Sequence, residues 1–537
     1  MKKSILFLLG LDFATMSLLA QPTIIQPPTN QVVAVGATLT LNVVANGNNP
    51  ALLAYQWFKD GRRLVGATNS TLSVTKASML DSGVYFVVVT NASGMVISYP
   101  VRAMVGHPCL LAWGQNDFGQ LGNGTNTDRD YPNPTPFTVA SNVVTGAEGG
   151  LHSLFVMADG TLWAMGYNIS GQLGYGMTSS TNLPVNVASN VVAVAAGYAH
   201  SLFVKSDGTL WAMGESMYGE LGIGTNAGYP FGITTPIYVT NNVVAIAAGM
   251  NFSLFVTASG TLWTMGSNTH GQLGLGTVAQ FGRNYPTPMA SNVVAVAAGN
   301  GHSLFMKMDG TLWGMGDNSE CRLGNTANNI NFLTPIVIAS NVVAVAAGGS
   351  HSLFVKADGT LWGTGRSDEG QVGNNMADGA VAPPVCVASN VVMAAAGMMH
   401  SVFVQANGML WGMGDNTYGQ LGIGVTNSPY YAPTNAPNLF VATVFQGEYA
   451  HHSLALGIIQ TPAIFNFSAS RADQQQLTLK LTGTPNYPYS LQMAPSLTTP
   501  VDWQSFVTNL TDAYGNWSYT VTNIGDVPGR FYRACGQ

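Results

Sequence analysis

Charge is scarce in this chain: Asp, Glu, Lys and Arg account for 8% of its 537 residues. So little charge, alongside 63 glycines and abundant Val, Thr, Ser and Asn, argues against solvated helices and for short strands joined by tight turns. Basic residues are scarcest where nucleic acid would need them. Between Gly106 and Gly457 stand 7 Lys plus Arg against 17 Asp plus Glu, and a region of that sign cannot neutralise phosphates. No nucleic acid is expected among the partners. Cysteine is nearly missing too. Cys109, Cys321, Cys386 and Cys535 lie far apart, which leaves no zinc knuckle and no redox pair. Past the leader, the Val-Val-Ala-Val-Ala-Ala stretches end within ten residues, so no integral membrane span is expected.

The leader itself reads Met1-Lys2-Lys3, an apolar run from Ile5 to Leu11, then Leu18-Leu19-Ala20-Gln21. That is the order of a secretory signal over residues 1–20, and it predicts a secreted or cell-surface protein whose mature chain begins near Gln21. Behind it the chain repeats itself. Trp113, Trp163, Trp211, Trp263, Trp313, Trp362 and Trp411 are spaced by 50, 48, 52, 50, 49 and 49 residues. Before six of them stands a version of His-Ser-Leu-Phe-Val-x-x-Asp-Gly-Thr-Leu-Trp, and after each a version of Gly-Gln-Leu-Gly. A period of this size marks a repeat architecture.

Each unit has one grammar. Asn190–Gly197 predicts a buried inner strand, and His200–Lys205 and Thr209–Gly214 two more. Asp207-Gly208 predicts a two-residue hairpin turn with both residues at positive φ. A Pro-containing strand such as Thr235–Val239 completes the unit. Four strands in each of seven units describe a seven-bladed β-propeller over residues 106–457. The first unit lacks the His-Ser-Leu-Phe strand and the last, ending at His452–Leu456, lacks the Trp strand. Each end supplies what the other lacks, which predicts one blade stitched from both.

These units resemble the regulator-of-chromosome-condensation repeat family, whose repeats carry Gly-x-x-His-Ser, Asp-Gly, Trp-Gly and Gly-Gln-Leu-Gly in this order. The resemblance implies a propeller used for binding. The family includes a guanine nucleotide exchange factor for a small GTPase, light-sensing proteins and secreted enzyme inhibitors. This chain departs from the pattern at Phe252, which replaces the repeat His, and at Cys321-Arg322, which replace Gly-Gln.

The flanks are also β. Residues 22–105 alternate at the strand period, and Trp57 with Asp81-Ser-Gly-Val-Tyr85 resembles the buried tryptophan and tyrosine corner of an immunoglobulin-like domain. Val43 and Val87 stand where that family often carries its disulfide. Residues 458–464 read as a linker, and 465–537 as a small C-terminal β-sandwich. The fold expected is all-β: a propeller between two sandwiches.

No residue stands out as catalytic. His152, His200, His302, His351, His400 and His452 recur once per blade, too far apart for one metal, and suit a hydrogen bond that pins each blade. Asp159, Asp207, Asp309 and Asp358 are turn residues. Glu215 with Glu220, or Asp368 with Glu369, could form an acid/base pair only across a cleft that nothing in the sequence places. Gly-Gln-Leu-Gly-x-Gly mimics a dinucleotide fingerprint but opens a loop, not a helix. The repeat Trp reads as a core anchor. The positions that vary between blades are the informative ones: Tyr198, Tyr218, Met250, Met398, Met399, Tyr418 and Tyr449 are read as exposed loop tips for a partner. The resulting expectation is an exported, non-catalytic protein-binding protein, adhesive or inhibitor-like, without metal or cofactor. A carbohydrate-binding surface protein is the alternative. A propeller-scaffolded hydrolase and a GTPase exchange factor are weaker ones, the latter disfavoured by the export signal and the acidic ring.

Overall fold

The computed structural model describes residues 20–457, apart from 48–52, 127–131, 227–231, 328, 378, 446 and 448, and six strands between residues 466 and 536. The leader and the linker lie outside the described residues. The chain divides into two units at Gly457.

Seven four-stranded antiparallel blades form the bulk of the first unit. The first complete blade runs inward to outward as Val143–Glu148, His152–Met157, Leu162–Gly166 and Thr181–Ala188. The second strand of each blade is covered on both faces by neighbouring blades, so His-Ser-Leu-Phe-Val is buried without alternation. Inner strands such as Val191–Ala196 are alanine-rich because the blades converge there. The ring closes through a composite blade. Its inner edge is the end of the long strand Tyr430–Val444, followed by His452–Gly457, Cys109–Gly114 and Asn133–Ser141. Leu110 pairs with Leu456 and Trp113 with Ser453, the pairing the two incomplete units call for.

Two local expectations need correction. Trp113 is not the seventh copy of the repeat Trp. Trp211 lies opposite Phe203, whereas Trp113 lies opposite Ser453, the register held elsewhere by methionines such as Met213 opposite Ser201. Leu111 takes the Trp place, facing Ala455. The strand from His452 has no Phe there, so a tryptophan would have nothing to stack on. The other six Trp are half-buried, not core anchors. Each lies parallel to its blade's Phe, with ring centroids 6.0–6.5 Å apart.

The hairpins also differ from expectation. Gly208 N–H donates to Lys205 O (2.9 Å) and Lys205 N–H to Thr209 O (3.0 Å), and of Asp207 and Gly208 only Gly208 has positive φ, at 78°. This is a type I turn followed by a glycine bulge, a three-residue loop. Asp207 stays out of the left-handed region because its carboxylate accepts from both the N–H and the hydroxyl of Thr209 (3.0 and 2.6 Å). Trp211 Nε1 then donates to the same hydroxyl (3.0 Å). The sequence Asp-Gly-Thr-Leu-Trp is therefore a hydrogen-bond relay from turn to ring.

Ahead of the propeller, residues 20–105 form an immunoglobulin-like domain. Trp57 and Tyr85 are buried with Val43 and Val87 in one core, without a disulfide. Trp57 Nε1 donates to Asn69 O (2.9 Å), and Tyr85 OH donates to Asp81 O (2.6 Å), which is the tyrosine corner. The strands Ala54–Lys59 and Gly83–Asn91 are apolar on both faces. Trp57, Tyr85 and Val87 face the sandwich, while Phe58, Phe86 and Val88 join a cluster with propeller residues Val244, Ala247 and Val294. The second unit contains two three-stranded antiparallel sheets, with Leu479, Leu481, Leu491 and Ala494 buried.

Truncating Trp57→Ala removes a fully buried ring, and chemical denaturation of the full chain should show a loss of about 3–5 kcal/mol in the transition of this domain. An unchanged midpoint would mean the ring does not anchor the sandwich.

Candidate functional site

The repeat histidines join blade to blade. Ser201 Oγ donates to Gln172 O (2.8 Å), so its lone pair accepts from His152 Nε2 (2.8 Å) of the preceding blade. The same contact recurs at His200–Ser253, His302–Ser352, His351–Ser401, His400–Ser453 and, across the closure, His452–Ser153, over 2.7–3.1 Å. Accepting serines require the Nε2–H tautomer, which leaves Nδ1 bare; it is buried without a partner at all six, among the described residues. The motif Gly-x-x-His follows from close approach. A Cβ at Gly149, Gly197, Gly299, Gly348 or Gly397 would lie 2.1–2.3 Å from Cε1 of the histidine three residues on. Ser–His pairs at this distance are the constellation of nucleophilic catalysis. Here the imidazoles are at most 1% exposed, and burial lowers five of them to a pKa of about 3, too low for a general base near neutral pH.

Of the carboxylates considered for acid/base work, Asp368 and Glu220 are committed elsewhere. Asp368 makes a bidentate pair with Arg366 (2.7 and 2.6 Å). Glu220 occupies the Gln place of Gly-Gln-Leu-Gly, and its Oε2 accepts Tyr218 N–H (2.8 Å), as Gln172 Oε1 accepts Ser170 N–H. Burial, aided by the charge of Glu215, raises Glu220 to about 7, where its protonated form mimics glutamine. Glu148, wholly buried on an inner strand, is raised well above the usual carboxylate range by burial, and it accepts the Leu454 amide across the closure seam.

The propeller has two faces, and one is covered. At the hairpin end, a side chain at Gly160, Gly208, Gly260, Gly310 or Gly408 would meet Arg102, Tyr99, Met95, Arg63 or Leu80 of the immunoglobulin-like domain. Arg102 donates to Val191 O (2.9 Å), Tyr99 OH to Asn242 Oδ1 (2.9 Å), and Ile97 N–H to Ala258 O (2.7 Å). Below the domain the channel holds a cavity of about 210 Å³, walled by inner-strand alanines and by Phe86. Its acid, Asp60, is paired with Lys59 (3.0 Å) and accepts Val84 N–H. None of these docking residues was singled out from the sequence. The available signals were the unbroken apolar run Val84–Val89 and a buried arginine in Val101-Arg-Ala-Met-Val105.

At the opposite end lie the Gly-Gln-Leu-Gly loops and the turns after the inner strands. An asparagine organises five of the seven loops, unnoticed in the sequence although it recurs five residues before the Leu. Asn168 Oδ1 accepts Leu173 N–H (2.8 Å) while Nδ2 donates to Met177 O (2.8 Å). Asn116, Asn268, Asn318 and Asn416 likewise accept the matching Leu N–H. All seven candidate tips fall on this face, but their exposure differs from expectation. Tyr198 is 37% exposed. Tyr218, Met250, Met398, Met399, Tyr418 and Tyr449 are half-buried. Aromatic pairing is part of the reason: Tyr198 packs edge-on against Tyr449 at 4.9 Å, and Tyr418 against His451 at 5.5 Å. Several apolar residues of these loops that the sequence reading passed over are more exposed, among them Met177 (60%), Met376 (58%), Val425 (45%), Ile169 (41%) and Met217 (40%). The loops of this face also carry the acids Glu215, Asp317, Glu320, Asp368, Glu369 and Asp415; of these Asp317 and Asp415 are buried, and Asp317 and Asp368 pair with Arg322 and Arg366.

With this geometry the chain can be set beside known proteins. Residues 109–385 match the family model of the RCC1-like domain, and residues 21–91 that of an immunoglobulin domain. The chain is similar to the ultraviolet-B receptor UVR8 of Arabidopsis thaliana, 27% identical over 222 residues, or 41% of this chain and 49% of that protein. It thus spans about half the length of that relative. Among solved structures, human WBSCR16 aligns at TM-score 0.59 and 22% identity, over 65% of this chain and 98% of that one. Prp20p of Saccharomyces cerevisiae, described with its binding to Gsp1p and histones, aligns at 0.57 and 23%, over 65% and 91%. These two likenesses concern the fold.

The histidine ring makes a pH prediction. Unfolded, these imidazoles protonate near pH 6.5; five of them, folded, resist protonation down to about 3, and His302 is also lowered well below 6.5. Below 6.5 the unfolded chain binds more protons, so the ring's contribution is complete above 6.5 and is lost as pH falls toward 3. Glu148, Glu215, Glu220 and Glu369, all raised, act in the opposite sense, but they are four against six histidines, and the lowered Asp159, Asp207, Asp309, Asp358, Asp368 and Asp415 add to the loss on acidification. Melting temperature should therefore fall steadily between pH 6 and 4 (about the window between those values). A His200→Gln variant should lose roughly 1.4 kcal/mol per pH unit of that slope. Stability that is flat or rising on acidification would contradict the ring's role.

Proposed function

The chain belongs to the RCC1-like domain family, and on that footing we propose that it is an exported, non-catalytic protein-binding protein whose propeller engages its partner through the loop face. The observation that carries this reading is the asymmetry of the ring. Within residues 20–457 the hairpin face is occupied by the immunoglobulin-like domain, whereas the loop face carries exposed Tyr198, Ile169 and Met217, and its loops hold more acids than bases. Exposed aromatic and methionine side chains are what interface hot spots use. The surrounding acids favour a partner with a basic rim, which they would steer in a salt-dependent way.

A non-catalytic role is supported by where the polar groups go. The Ser–His pairs are sealed and used between blades, and the buried carboxylates hold backbone amides. Export rests on the leader, and among the described residues no helix is long and apolar enough to cross a membrane. The relatives supply precedent for protein binding by this fold, since Prp20p is described with protein partners. Exchange on a small GTPase is a weaker reading for an exported chain.

Two outcomes test this. Protein isolated from the native host should begin near Gln21; an intact Met1 in a cytoplasmic fraction would refute export. For a partner captured from the host's secretome, Tyr198→Ala or Met217→Ala should weaken binding by about 2 kcal/mol, as at hot spots, while each leaves the unfolding midpoint within about 0.5 kcal/mol of wild type. Full affinity retained by both variants would place the interface elsewhere.

A further inference from the structure

The third complete blade, Val243–Ala290, departs from its sisters around its tryptophan. In three other blades a lysine ammonium lies over the ring: Lys205 on Trp211 and Lys307 on Trp313 at 4.5 Å, and Lys356 on Trp362 at 3.9 Å. Each lysine comes with the hairpin aspartate two residues on, whose partner threonine takes the indole N–H. In the third blade both charges are replaced by hydroxyls, Thr257 for the lysine and Ser259 for the aspartate. Ser259 Oγ bonds with Thr257 Oγ1 and Thr261 Oγ1, each at 3.0 Å. Trp263 Nε1 has no partner among the described residues. The ring is left with neither a lysine on its face nor a threonine at its edge.

The short side chains open a recess of about 370 Å³, lined by Trp263, Thr257, Ser259, Thr261, Asn241 and Asn242 among others, none of them charged. That volume falls within the range of about 300–1,000 Å³ typical of small-molecule sites. The lining selects among ligands. A cation would find the aromatic face but not the carboxylate that accompanies every lysine in the sister blades. An anion would find no basic group. A purely apolar ligand would strip water from hydroxyls and amides and return no hydrogen bond. What fits is a neutral molecule with an apolar C–H face for the indole and hydroxyls at its edge.

We propose that the recess over Trp263 binds a neutral sugar, a single hexopyranose such as the end of a glycan, stacked on the indole and hydrogen-bonded by Thr257, Ser259 and Asn241. The site is at the hairpin end of its blade, beside the Tyr99–Asn242 contact, and is independent of the loop-face reading. A protein captured there and a sugar bound here would be separable activities.

The test uses the full-length chain, with tryptophan fluorescence and ligand-observed NMR. The probes are the methyl glycosides of glucose, galactose, mannose and N-acetylglucosamine at millimolar concentration, with tetramethylammonium as a cationic competitor. At least one glycoside should bind. The double variant T257K/S259D, which rebuilds the pair of the sister blades and fills the recess, should bind it about tenfold more weakly or not at all, with an unchanged or higher melting temperature. Trp263→Phe, a milder change, should also weaken it. The proposal is overturned if no glycoside binds the wild type, if T257K/S259D or W263F binds it with wild-type affinity, or if tetramethylammonium binds in place of the sugars.

Discussion

Everything in the ring hangs on a buried contact between a histidine and a serine some fifty residues further along, as at His152 and Ser201. An isolated four-stranded blade is a poor fold, because its second strand is apolar on both faces and needs a neighbour on each side. The serine hydroxyl donates to the loop of the preceding blade and accepts from that blade's histidine. One side chain thereby satisfies two groups that water cannot reach. The requirement propagates. It places glycine three residues before five of the six histidines, it keeps the imidazole neutral, and it closes on itself where His452, preceded there by Tyr449, meets Ser153. The single break is at Phe252, beyond which Ser303 keeps its bond to Gln272 O (2.6 Å). A ring with six of seven such contacts still closes, since apolar packing of Phe252 occupies the same space.

The second constraint is the seat of the immunoglobulin-like domain. Its sheet has two apolar faces, one for its own core and one for the propeller, so the two folds form one body. This settles which end of the propeller offers free surface within residues 20–457. It also supplies charge where a blade lacks its own. Where the first complete blade has Met157 in place of a lysine, Arg102 reaches the hairpin at Gly160 and adds to the hydrogen bonds of Thr161 in holding Asp159 ionised. The third blade receives no such substitute; the sixth, with Gln405 and Asn407 at these places, also lacks both charges, but there Gln405 accepts from Trp411 Nε1 (3.0 Å), whereas Trp263 Nε1 has no partner among the described residues.

Repetition and divergence divide the work between them. Residues common to the blades are spent on turns, on the Phe–Trp stack and on the contacts between blades. Residues free to vary occupy loop tips and the rim, and there the chain holds its exposed tyrosine and methionines, its acids and its uncovered indole. Variation at a position that the fold does not dictate is the physical mark of binding surface in a repeat protein.

The periodic pattern by itself determined the number of blades, the order of strands and the stitched closure, while the immunoglobulin-like core around Trp57 and Tyr85 was legible through resemblance to that family. The first three follow from local alternation, turn chemistry and complementary ends, which are written within one unit. What only the tertiary structure decided was long-range. Trp113 counts as a repeat tryptophan by spacing, yet lies two residues out of register because the strand that meets it comes from the other end of the chain and lacks a phenylalanine. Tyr218, Met398 and Tyr418 look like free tips in the sequence, yet are half-buried against neighbouring loops. Arg102 and Tyr99 look like ordinary strand residues, yet fasten two domains. A residue's exposure depends on what folds against it from another blade or domain, and no pattern within fifty residues carries that information.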